Sequence, residues 1–64
     1  MNKKETQSLL KEILESMDVP EMRKDVTNNS NLRWLNRNIM IRNGEHPKAV
    51  TALVLAGRLI RVTS

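Results

Sequence analysis

Apolar side chains recur along this chain at the helical period in three stretches. In the first, Leu9, Leu10, Ile13, Leu14 and Met17 fill one arc of about 140° when residues are placed about 100° apart. Lys3, Lys4, Glu12 and Glu15 fall outside that arc. The pattern predicts an amphipathic helix over about residues 3–18. Asn2 followed three residues later by Glu5 has the form of a capping box, with Thr6 as a rival cap. Val19-Pro20 ends the element, because the residue before a proline avoids the helical region.

Residues from Pro20 to Ser30 read as a connector. Pro20 to Lys24 has room for one helical turn, and Val26-Thr27-Asn28-Asn29-Ser30 is polar and rich in capping residues. The second helix is expected over about residues 30–42. Leu32, Leu35 and Ile39 form one apolar line on it; Trp34 and Ile41 form a second, more than about 100° away. Asn38 lies beside the second line and Arg42 between the two, while Arg33 and Arg37 project away from both. Two apolar lines imply two neighbours. One is the third helix, and the other is the first helix or a second subunit.

The third stretch, His46 to Ile60, is the longest apolar run. Ala49, Leu53, Ala56 and Ile60 share a line, Ala52 and Leu59 flank it on one side, and Val50 and Gly57 on the other. Lys48, Thr51 and Arg58 mark a narrow polar strip. Asn43-Gly44-Glu45-His46 reads as the preceding turn, with Gly44 closing the second helix and Pro47 suited to the first position of the next. The helix is expected over about residues 47–59, where Gly57 weakens it and the β-branched tail beyond is compatible with extended chain.

A helix apolar nearly all round is buried on most sides. A chain of this size buries only about 60% of the surface its unfolded form exposes. The pattern therefore implies a second copy, seated on Trp34, Ile41, Ala52, Leu55, Ala56 and Leu59, with the two alanines allowing close backbone approach. The expected fold is all-α: one domain over residues 1–64, a small three-helix unit whose last two helices form a hairpin, assembled as a homo-oligomer and most simply a homodimer.

Composition narrows the setting. There is no cysteine, so neither a disulfide framework nor a thiolate zinc site can form. The N-terminal segment is charged and amphipathic, unlike a signal peptide. The apolar part of the third stretch falls short of the roughly 20 residues that span a bilayer. A cytoplasmic protein with no membrane partner is expected. The charge is uneven: residues 1–30 carry five Lys/Arg and six Asp/Glu, a net −1, while residues 31–64 carry six Lys/Arg and one Asp/Glu, a net +5. A basic half attracts an acidic partner, whether nucleic acid, nucleotide or protein. A solvated surface that only maintains solubility has the same composition.

Candidate chemistry centres on Arg37, Asn38, Arg42, Asn43 and His46, close together in sequence around a turn and a helix start. Free N–H groups at Lys48 and Ala49 would make an anion site there, with Arg42 and Lys48 adding charge. Asn38 and Asn43 are suited to reading a base or a sugar. The same residues also serve as plain caps: Asn43 ends helices well and His46 is a passable N-cap. Catalysis is not expected. His46 is the only histidine and lacks suitably spaced co-ligands, the serines sit in no nucleophile motif, and Gly44 and Gly57 make no phosphate-cradling loop. No cofactor is expected. Trp34, the only aromatic residue, is no stacking platform and reads as an anchor in the core or at an interface.

With Gly44 at the turn, Ile39, Val50 and Leu53 resemble the apolar framework of a helix-turn-helix, from which Met40, Asn43 and Glu45 depart. LVLAGRLIRV resembles the passage from recognition helix into wing of winged-helix proteins, although the chain stops before a second wing strand. That resemblance implies Lys48, Thr51 and Arg58 facing a DNA groove, with Arg33 and Arg37 on phosphates. The leading expectation is a small non-enzymatic regulatory protein that binds a phosphate-bearing partner (DNA, RNA or a nucleotide) through Arg33, Arg37, Asn38, Arg42, Asn43, His46 and Lys48. The alternative is a protein–protein adaptor or inhibitor, of the kind phages and mobile elements encode, that captures a host protein through an apolar helical face.

Overall fold

Asn2 starts the first helix as the sequence implies. In the computed structural model, which describes residues 1–42 and 46–63, helix α1 spans Lys3–Ser16. The Asn2 side chain accepts from the Glu5 backbone N–H at 2.8 Å, and the Glu5 carboxylate accepts from the Asn2 N–H at 3.4 Å, a reciprocal capping box. Thr6, the rival cap, instead lies buried and donates its hydroxyl to the Asn2 carbonyl at 2.9 Å.

The helix ends before the proline takes effect. Asp18 adopts a positive φ of 61°. Its N–H donates to the Glu15 carbonyl and that of Val19 donates to the Leu14 carbonyl, each at 3.1 Å. This is a Schellman closure with Asp in the position usually held by Gly, and Leu14 and Val19 supply its apolar contact.

The connector is not a loop. Pro20–Thr27 forms a 3-10 helix, with Pro20 at its start, and Asn29–Asn31 forms a second short one. Met22 and Val26 bury their side chains, and the longer 3-10 segment packs on both α1 and α2. Asn28 accepts from the N–H and hydroxyl of Ser30, and the Asn31 amide donates to the Asp25 carboxylate at 3.3 Å. These local bonds satisfy polar groups that a loose connector would leave to water.

Helix α2 spans Leu32–Ile41 and helix α3 spans Ala49–Thr63; the two pack against each other, and α3 also packs against α1. The expected all-helical architecture is present, with the 3-10 segment as an added helical element. Residues 58–63 continue α3, so the tail that the sequence leaves open between helix and strand is helical, and LVLAGRLIRV runs through one helix rather than into a wing. Val50, placed by the helix-turn-helix comparison in an apolar framework, faces water. The expected turn at Asn43, Gly44 and Glu45 lies outside the described residues.

The core gathers Leu10 and Leu14 of α1, Met22 and Val26 of the 3-10 segment, Leu32, Leu35 and Ile39 of α2, and Ala49, Ala52, Leu55, Ala56 and Leu59 of α3. This corrects the expected interface. Ala52, Leu55, Ala56 and Leu59 are covered by their own chain, where the small alanines bring α3 close to its neighbours. The 3-10 segment, in the stretch read as a polar connector, adds cover to α1 and α2. The radius of gyration, 10.3 Å, is near the roughly 11 Å of a compact globule of this length. Among the described residues, no helix is long and apolar enough to cross a membrane.

Candidate functional site: the outer face of α2

Helical periodicity sorts α2 into two sides. Leu32, Leu35 and Ile39 turn inward and are fully covered. Arg33, Trp34, Arg37, Met40 and Ile41 fall on the opposite side, and all five are exposed. Trp34 is 62% exposed and Ile41 69%. Trp34 is thus not a core anchor, and the described residues leave the second apolar line largely exposed. Arg37, one turn on from Trp34, holds its guanidinium carbon 6.0 Å from the indole centroid, within range of a cation–π contact. The face therefore combines two cations with an indole, a thioether and a branched aliphatic chain.

The expected anion-binding cluster divides. Arg33 and Arg37 belong to the outer face, whereas Asn38, about 100° around the helix from Arg37, is half-buried on a flank. Arg42 is also half-buried and closes α2, its N–H donating to the Ile39 carbonyl at 3.0 Å. Asn43 lies outside the described residues.

The start of α3 departs from expectation in a specific way. The two N–H groups that were to hold an anion are both engaged by His46: the Lys48 N–H donates to His46 Nδ1 at 3.3 Å, and the Ala49 N–H donates to the His46 carbonyl at 3.1 Å. His46 acts as a cap and occupies the donors that a phosphate would use. Lys48 remains exposed beside it.

Two features went unread in the sequence. Met40 was weighed only as a helix-turn-helix mismatch, yet it joins the outer face of α2, and its signal was the seven-residue step from Arg33. Val50 and Val54 belong to a helix that its sequence marks as buried nearly all round, and Val62 to the tail beyond it, yet all three are exposed. Neither α2 nor α3 contains a carboxylate, and the acidic side chains of the described residues lie on α1, the following turn and the longer 3-10 segment. No protein-family model, curated protein or solved structure matches the chain.

Proposed function

We propose that this chain is a small cytoplasmic adaptor or inhibitor that captures an acidic protein surface on the outer face of α2. The observation that carries the reading is Trp34, 62% exposed beside exposed Ile41 and Met40, with Arg37 laid on its indole. Tryptophan and arginine dominate binding energy at protein interfaces. A partner that offers an apolar pocket ringed by carboxylates uses every side chain on this face. Trp34 and Ile41 enter the pocket, and Arg33 and Arg37 pair at its rim. A polyanion uses only the cations and leaves the apolar side chains without a role.

The test is site-specific photo-cross-linking in the protein's own cells, with the reactive group at position 41 and a control group at Lys11. One protein cross-linked from position 41, absent from the Lys11 control and lost in Trp34→Ala, is the expected result. Cross-linking to nucleic acid alone would overturn the reading.

A second reading is favoured by one observation: Arg33, Arg37 and Arg58 are exposed on helices that contain no carboxylate, and Lys48 is exposed just before α3. It is the binding of a phosphate-bearing partner, DNA, RNA or a nucleotide. That mode loses affinity with salt by about 0.9 log unit per log unit salt for each duplex DNA phosphate contacted. It also survives Trp34→Ala.

A further inference from the structure

Nothing among the described residues requires glycine at position 57. Its φ is not positive, so the backbone does not require glycine. A methyl group built there meets no described residue within 4 Å, so none of them needs the space either. Yet glycine weakens a helix interior relative to alanine. Periodicity places it on the water-facing line of α3 with Val50 and Val54, which are 58% and 60% exposed. Arg58 adjoins it and is exposed. The line is apolar, has room for another backbone, and is cationic toward its C-terminal end.

Charge selects the occupant. Because α3 has no carboxylate, packing this line against its own equivalent would gather arginines around the crossing at Gly57. The complementary surface is on α1. Glu5 and Glu12 lie two turns apart with partly buried Leu9 between them, along a shallow depression also lined by Asn2, Lys4 and Ser8. Glu5 is committed to the capping box, which leaves Glu12 as the available carboxylate. We propose that a second copy of this chain docks its α1 on the Val50–Val54–Gly57 line of α3. Arg58 then faces Glu12 of the other copy, and in a two-fold arrangement the contact is made twice. This surface is separate from the outer face of α2, and the inference does not depend on what that face binds.

The experiment is sedimentation equilibrium on the full chain. A reversible monomer–dimer equilibrium is expected, with Val54→Glu and Gly57→Ala weakening association. Gly57→Ala should at the same time raise the thermal midpoint, an opposition that a merely structural role would not produce. Arg58→Glu and Glu12→Lys alone should each weaken the dimer by about ten-fold or more, since like charges then face each other. Mixed together, the two variants form a heterodimer with one native contact and one reversed contact, and dimerisation recovers. Circular dichroism checks that each variant is folded; Glu12, Val54 and Arg58 are exposed. A chain monomeric at every concentration, an open-ended polymer, or a mixture that stays monomeric would overturn the proposal.

Discussion

Arg37 lies over the indole of Trp34, its guanidinium carbon 6.0 Å from the ring centroid, on a helix face that the described residues leave largely exposed. Such a contact is worth about 0.5–1 kcal/mol when exposed and more once water is excluded. The pair fixes one face of the indole and presents the rest. If that face docks a protein, Trp34→Ala should cost about 2 kcal/mol or more of binding, a loss of roughly thirty-fold, measured by titration against the cross-linked partner. Because the side chain is exposed, the same change should move folding stability by no more than about 0.5 kcal/mol in urea denaturation.

Ile39 and Ile41 stand two residues apart on the same helix with opposite fates. Ile39 is fully buried in the core, and Ile41 is 69% exposed. Ile39→Ala should lower stability by about 2–5 kcal/mol, and Ile41→Ala by about 0.5 kcal/mol or less. Equal effects in denaturant titrations would mean that α2 is rotated from the orientation described.

At the end of α1, Asp18 holds a positive φ of 61° that L-residues adopt at a cost. Asp18→Gly should keep both closing hydrogen bonds, remove that cost, and raise stability by about 1 kcal/mol. A fall in thermal midpoint would show that the Asp18 side chain contributes more than its backbone strain costs.

His46 gives the start of α3 its cap. His46→Ala leaves the Lys48 N–H to water and should cost about 0.5–1 kcal/mol, whereas His46→Asp should recover most of it by accepting the same bond. Under the phosphate reading, emptying the cap would instead free a donor and strengthen anion binding. Phosphate titration of the alanine variant, followed by chemical shifts, separates the two.

The parts of this fold legible in the sequence were those written in local terms. The capping box at Asn2 and Glu5, the inner line Leu32–Leu35–Ile39 and the helical reading of His46 to Ile60 each depend on residues within a few positions of one another. What escaped was tertiary. Met22 and Val26 are four apart in a segment otherwise polar, too sparse a pattern to announce a packing element, yet they roof part of the core. α3 is covered by α1 and α2 together, and periodicity along one helix does not say that two neighbours suffice to bury Ala52, Leu55, Ala56 and Leu59 within one chain. The candidate site followed the same logic. Composition drew attention to the cations near the turn, while the separation of Arg37 from Asn38 and the engagement of the Lys48 N–H by His46 depend on helix rotation and cap geometry.

The most direct test uses Trp34, the only tryptophan, as its own reporter. Its fluorescence spectrum and its quenching by acrylamide, followed from dilute to concentrated chain, read whether the outer face of α2 is open. A red-shifted, readily quenched indole at every concentration is expected, since self-association through α3 leaves this face in water. A blue-shifted, protected indole in the dilute chain would contradict the fold described. Protection that grows with concentration would mean that a second copy, not another protein, occupies the face.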